Sequence, residues 1–202
     1  MATWDKEDGF GKYIDLHCKI VRHVFDRPRP YPFLKKYTYI DTNAGSGDNG
    51  PHGPGSPYLA LLALDKYGLD YDAHFLELEA GNVERLKTLA TRENIKVHEG
   101  DNAETIRNII PTVNRKSYGL AYMDPNGCPD IDILGYIADS LPHIDLMVRV
   151  NGTAMKRTRT AFDGKPSFVD IMRRAKKEKG IIREPLQGDR AQWVLLFGTN
   201  YS

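Results

Sequence analysis

YTYIDTNAGSG, residues Tyr37–Gly47, is the stretch from which the rest of the chain can be read. Tyr37 to Ile40 is aromatic and β-branched, the composition of a buried strand. An acid, Asp41, ends the run, and a turn of small residues follows with Ala44, Gly45 and Gly47. Glycine there permits positive φ and lets a ligand approach the main chain with no Cβ in the way. Farther on, Gly55-Ser56-Pro57 reads as a helix start, with Ser56 as N-cap and Pro57 at the first helical position. Strand, glycine turn and helix N-terminus together predict a nucleotide-type site at the carboxyl end of a sheet strand.

The spacing departs from the dinucleotide fingerprint, in which G-x-G-x-x-G runs straight into the helix. Here Asp48 to Gly55 separate Gly47 from the cap, with Pro51 and Pro54 among them. An acid followed by a short glycine turn suits S-adenosylmethionine, which carries no phosphate for a helix dipole to hold. Its amino acid moiety needs backbone partners and a carboxylate for the ammonium. A plain strand-to-helix turn with glycines for geometry alone would look the same in isolation.

The 202 residues, 41% of them hydrophobic, fit one domain with a well-buried core. Two cysteines, Cys18 and Cys128, give no disulfide framework, and six scattered histidines show no metal-ligand spacing, so no metal is expected. The N-terminus MATWDKEDGFGKY is charged from its fifth residue, unlike a signal peptide. No apolar run approaches the ~18 residues of a membrane span. The chain reads as a cytoplasmic, reduced protein with no membrane partner. Charge is unevenly spread: residues 51–150 carry 9 basic and 15 acidic side chains, and residues 151–202 carry 11 and 5. The basic last quarter suggests a surface facing a polyanion, although a solvated lysine-rich helix face gives the same count.

Residues 1–36 read as a helical preface packed on the core, and residues 37–202 as a catalytic domain, one structural domain overall. Within the preface, Lys12–Phe25 places Tyr13, Leu16, Ile20 and Val24 near helical spacing, which predicts an amphipathic helix laid on a sheet. Strands are expected at Tyr37–Ile40, Asp72–Glu77, Ile95–His98, Tyr118–Met123 and Ile144–Val150. Helices are expected between them at Tyr58–Tyr67, Gly81–Arg92, Asp101–Ile110 and Ile131–Ser140. A basic helix at Ser167–Glu178 then precedes two strands, Ile181–Glu184 and Gln192–Phe197, with no helix between them. The fold class is α/β: a single doubly wound, mostly parallel sheet with helices on both faces and a C-terminal antiparallel hairpin. This is a Rossmann-like layout of the class I methyltransferase kind.

Ligands of a doubly wound sheet gather at the carboxyl ends of its strands. Four of the five parallel strands end in or just before a carboxylate: Asp41, Glu77, Asp101 and Asp124. Glu77, after the second strand, can accept from both ribose hydroxyls, and Leu78 would lie against the adenine. Asp101, followed by Asn102, can accept from an adenine amine, although it also has the position of an N-cap. Met123-Asp124-Pro125-Asn126-Gly127 ends the fourth strand in an exposed, extended turn. Amino-methyltransferases place an Asp-or-Asn-Pro-Pro-aromatic turn here, whose side chain and prolyl carbonyl accept the two protons of an exocyclic amine. The aromatic then stacks on the flipped base. Asp124 and Pro125 match that pattern; Asn126 and Gly127 stand where it has the second proline and the aromatic.

These residues carry a resemblance over nearly the whole chain. Tyr39-Ile40-Asp41, Ala44-Gly45-Ser46-Gly47, Gly55-Ser56-Pro57, Phe75-Leu76-Glu77-Leu78-Glu79, Gly100-Asp101, Asp124-Pro125 and Gln192-Trp193-Val194-Leu195-Leu196 resemble the three-Cys-motif partner proteins. That family consists of predicted class I methyltransferases of bacteria and phages. The combined reading is a methyltransferase using S-adenosylmethionine on an exocyclic amine of a nucleic acid base. DNA adenine-N6 is favoured, with cytosine-N4 or RNA as variants, and a partner protein could supply specificity. Asp41, Ala44, Gly45, Gly47, Glu77, Leu78, Asp101 and Asn102 would hold the cofactor. Asp124, Pro125 and Asn126 would hold the target, and Lys156, Arg157 and Arg159 the phosphates. The rivals are a methyltransferase for a small molecule or protein, a non-catalytic nucleic-acid-binding partner of the same fold, and a nicotinamide-dependent dehydrogenase.

Overall fold

The computed structural model describes residues 7–28, 34–48, 50, 53–125, 127, 129–151, 179–183 and 193–200. The expected basic helix at Ser167–Glu178 and the residues Asn126, Cys128, Lys156, Arg157 and Arg159 lie outside them.

Among the described residues, seven strands form one sheet: β1 (Leu34–Asp41), β2 (Tyr71–Glu77), β3 (Ile95–Glu99), β4 (Ser117–Met123), β5 (Ile144–Asn151), β6 (Lys179–Arg183) and β7 (Trp193–Thr199). Their order is β3-β2-β1-β4-β5-β7-β6. The first five are parallel, and β7 runs antiparallel between β5 and β6. Strand order reverses between β1 and β4, which opens a crevice at their carboxyl ends. Register sharpens that position, because Asp41 sits beside Phe75 of β2 and Tyr122 of β4. Glycine makes one of these pairings possible, since a Cβ at Gly119 would collide with the Thr38 backbone.

Side chains of β1 alternate between two cores, as the period of a strand requires. Tyr37 and Tyr39 face a cluster shared with α1 (Lys12–Asp26), α2 (Ser56–Lys66) and α3 (Ala80–Lys87). Ile40 faces the other cluster, with α4 (Asn102–Ile109) and α5 (Ile131–Ser140). Helices therefore cover both faces, and β2, β4 and β5 are mostly buried, whereas the edge strand β3 buries only Ile95. A turn of 3₁₀ helix, Ile110–Thr112, with Pro111 inside it, follows α4.

The expected face of α1 needs correcting in part: Tyr13 and Val24 are half-buried and pack against the core, but Leu16 and Ile20 do not. Ile14, His17, Cys18, Val21 and Phe25 are buried, whereas Leu16 and Ile20 are 55% and 52% exposed. Both stripes have helical spacing and differ only by a rotation about the axis. A buried polar cluster accompanies the face that packs. His17 Nε2 lies 3.0 Å from Asp145 Oδ2, the Tyr37 hydroxyl 2.8 Å from His17 Nδ1, and the Tyr118 hydroxyl donates to Asp145 Oδ2 at 3.1 Å. These contacts link α1 to β1, β4 and β5 toward the amino ends of the strands, away from the crevice. Burial pushes the Cys18 thiol on the same face up to about 12, so it is no nucleophile.

Candidate functional site

The site begins where β1 stops. Asp41 is fully buried, and its carboxylate accepts from the Tyr39 hydroxyl and the Asn43 amide, each at 3.2 Å. The Thr42 amide donates to the Tyr122 carbonyl at 3.0 Å, tying the turn to β4. The Ala44 amide donates to the Leu76 carbonyl at 3.0 Å, tying it to β2. The chain thus crosses the strand ends in three residues. Gly45 then adopts φ +67° and turns its amide onto Glu77 Oε2 at 2.8 Å. Gly47, at φ +76°, packs on Leu86 and Leu89, which a Cβ there would overlap. The Gly47 carbonyl accepts from the Gly55 amide at 2.9 Å, so the loop between them closes on itself at its base.

The start of α2 differs from expectation. Gly55 is the N-cap, and Ser56 is the first helical residue. The cap residue must hold an extended backbone, and a Cβ at Gly55 would meet the Gly47 main chain at 2.9 Å. Ser56 is instead fully buried, and its hydroxyl has no hydrogen-bond partner among the described residues. A buried hydroxyl without a partner carries a desolvation cost.

Glu77 holds the second wall. Its Oε1 accepts from the Glu79 amide at 2.9 Å, and the Gly100 amide donates to its backbone carbonyl at 3.0 Å. Leu78 projects outward, 62% exposed. Asp101 caps α4, with Oδ1 accepting from the Ala103 and Glu104 amides at 2.9 and 3.2 Å. Its Oδ2 makes no such bond among the described residues, and Asn102 begins the helix, half-buried. Asp41 and Glu77 therefore bond to the same turn, at Asn43 and at Gly45, and Asp101 follows the strand next to that of Glu77.

The third wall is β4. Asp124 Oδ2 accepts from the Tyr122 hydroxyl at 3.2 Å and from Arg149 of β5 at 3.0 Å. Arg149 was missed in the sequence, although a cation inside the apolar run of β5, IDLMVRVN, which also carries Asp145, signals a buried partner. Burial, reinforced by the neighbouring carboxylates Asp124 and Asp41, pushes the Tyr122 and Tyr39 phenols well above the usual tyrosine range. Both phenols remain donors. Phe10, fully buried in the π-helical turn Glu7–Gly11 ahead of α1, packs on Tyr122 with ring centroids 4.4 Å apart. The helical preface thus reaches the strand that carries Asp124. Pro125 follows, half-buried.

The donor set fits a sulfonium nucleoside. Each Glu77 oxygen keeps a lone pair after accepting one amide, enough for two ribose hydroxyls. Exposed Leu78 offers an apolar face to a purine, and Asp101 Oδ2 an acceptor for its amine. The unsatisfied Ser56 hydroxyl lies at the helix start beside the glycine turn. Among the described residues, no three His, Cys, Asp or Glu side chains cluster to hold a metal, and no helix is long and apolar enough to cross a membrane.

No family model and no curated protein matches the chain. Solved structures do. A Legionella pneumophila protein of the DUF519 family superposes with TM-score 0.58 at 16% identity, over 95% of this chain and 84% of that one. The Methanococcus jannaschii fibrillarin pre-rRNA processing protein gives 0.55 at 15% identity, covering 91% and 75%. The METTL16 MTase domain gives 0.51 at 13%, covering 92% and 67%. The chain has the class I methyltransferase fold.

Proposed function

We propose that the chain is an S-adenosylmethionine-dependent methyltransferase acting on an exocyclic amine of a nucleic acid base, with DNA adenine-N6 as the favoured target. One observation carries this reading: the Glu77 carboxylate at the end of β2, bonded to the Gly45 amide in the turn after β1. The fold and the MTase and pre-rRNA processing neighbours support it. Asp41, Ala44, Gly45 and Gly47 shape the turn for the amino acid end of the cofactor; Glu77, Leu78, Asp101 and Asn102 hold its nucleoside. When bound, that cofactor supplies a methyl group activated by a sulfonium.

The chain's own residues position the amine. Asp124 and the Pro125 carbonyl accept its two protons, which turns the nitrogen lone pair away from them, and Asn126 completes the turn. Arg149 keeps the Asp124 carboxylate in one orientation, bonded to both its oxygens at 3.0 and 3.3 Å. Catalysis is then mostly positioning, with no covalent enzyme intermediate. Lys156, Arg157 and Arg159 contact the phosphates, and membership of the three-Cys-motif partner family, with a partner protein adding specificity, extends the same reading. The absence of a proline and an aromatic at Asn126-Gly127 favours a second reading, a small-molecule or protein substrate.

Two measurements test this. Calorimetry with S-adenosylmethionine and NAD should show binding of the first only. Labelled methyl should then pass to DNA or RNA rather than to protein or small-molecule pools; transfer to the latter alone would replace the base by the second reading.

A further inference from the structure

A cleft of about 540 Å³ lies on the outer side of the glycine loop, between that loop, the first turn of α2 and the last turns of α3. Ser46, Gly47, Asp48, Pro54, Tyr58 and Arg85 are among its lining, which includes none of Asp41, Glu77, Asp101 or Asp124. Its size is that of a small-ligand site. Gly50 and Gly53, both at positive φ, also line it.

Three groups inside define a chemistry. Arg85 makes no ion pair among the described residues, and its helical neighbours three and four residues away, Gly81, Asn82, Thr88 and Leu89, carry no acid. Its guanidinium is a fork suited to a phosphate. Tyr58 is 47% exposed and stacks on no other ring among the described residues, with Pro54 and Leu89 in the same lining. Asp48 directs Oδ1 to the Gly50 amide at 2.9 Å, leaving its other oxygen to accept from a hydroxyl or an amine. A cation, an open aromatic face and a spare acceptor in one ligand-sized cleft describe a receptor for a nucleotide.

We propose that this cleft is a second ligand site that binds a nucleoside monophosphate unit, its base on Tyr58 and its phosphate on Arg85. This site stands apart from the cofactor crevice and shares only the loop at Ser46–Gly47 with it. The unit comes either free or as part of a single strand. In the second case the cleft anchors substrate beside the crevice, which rests on the nucleic-acid reading above.

Titration of the whole chain, without cofactor, with AMP, adenosine and a short oligo-dA distinguishes the cases. AMP or the oligonucleotide should bind, and adenosine about tenfold more weakly. Arg85→Gln should remove the preference for phosphate, and Tyr58→Ala should weaken binding at least about tenfold, whereas Tyr58→Phe keeps the ring and the affinity. Lys87→Gln, outside the cleft, should change binding little. S-adenosylmethionine affinity should stay within a few-fold in every variant, so the result stands whether or not methyl transfer is found. Binding of AMP alone identifies a free nucleotide, and binding of the oligonucleotide alone a strand. No binding of either, equal binding of adenosine, or parental affinity in both Arg85→Gln and folded Tyr58→Ala would overturn the site.

Discussion

Glu77 accepts from two backbone amides while facing the crevice, so replacing it acts on the turn and on the ligand together. Glu77→Ala should weaken S-adenosylmethionine binding by roughly 1.5–3 kcal/mol, the range for hydrogen bonds to a charged group. Calorimetry on folded protein checks it; parental affinity would remove Glu77 from the site. Asp124 and Arg149 form a different case, because their side chains are only 7% and 11% exposed. Arg149→Met leaves a desolvated carboxylate without its cation and should cost about 3 kcal/mol, at the lower end for broken buried pairs. The double variant with Asp124→Leu should recover most of that stability in urea while methyl transfer stays lost. A double variant no more stable than the single one would show that the pair is not energetically coupled. The acids at the strand ends were legible because strand, acid and turn succeed one another in the sequence. What Asp41 and Asp101 bond to was legible only in part. Asp101 was readable as a cap, but the bond between Tyr39 and Asp41 depends on which way each strand side chain points.

At the scale of elements, rotation is what the sequence leaves open. Tyr13, Leu16, Ile20 and Val24 satisfy helical spacing as well as Ile14, Cys18, Val21 and Phe25 do. Burial of His17 against Asp145 accompanies the second choice, and that pairing spans 128 residues. Leu16→Ser should therefore change stability by no more than about 0.5 kcal/mol, whereas Ile14→Ala should cost about 2–5 kcal/mol. Equal losses in a denaturant titration would return α1 to the expected face. The edge of the sheet holds a second element-scale device. His74 of β2 and His98 of β3 place ring nitrogens 3.2 Å apart, one donating to the other's lone pair. Two imidazolium rings have no lone pair to share. Burial, with His98 and Lys96 beside it and Asp72 only partly offsetting them, pushes His74 down to about 4 from its ordinary 6.5; burial, then Lys96, also lowers His98. Between those two pH values the unfolded chain binds the proton and the folded one does not. Stability is thus complete above pH about 6.5 and falls as pH drops toward 4, by up to about 1.4 kcal/mol per unit. Urea midpoints of wild type and His74→Gln measured from pH 7 to 4.5 should diverge in slope, and parallel curves would refute the assignment.

For the whole molecule, alternation of strands and helices made the doubly wound class legible, because each periodicity switch is written locally. Strand order is not, yet the class of fold fixes it well enough to bring Asp41, Glu77 and Asp124 to one crevice. The basic last quarter is a whole-molecule feature too: an acidic middle and a basic end make an uneven field. If Lys156, Arg157 and Arg159 neutralise three phosphates, log affinity for a duplex should fall against log salt with a slope near −2.7, at about −0.9 per contact. Replacing all three by alanine should remove about that much while leaving S-adenosylmethionine affinity alone. A triple variant with parental salt dependence and parental affinity would exclude the segment as a phosphate contact and favour a small-molecule substrate.

The insertion of β7 between β5 and β6 sets an order of assembly. β6 is made first, but among the described residues its partner in the sheet is the strand made after it. During synthesis, β5 and β6 therefore both lack their β7 pairing until Trp193–Thr199 has been made. One late segment recruits two strands at once. A chain halted at residue 192 would lose β6 from the sheet as surely as β7, although the residues of β6 would all be present.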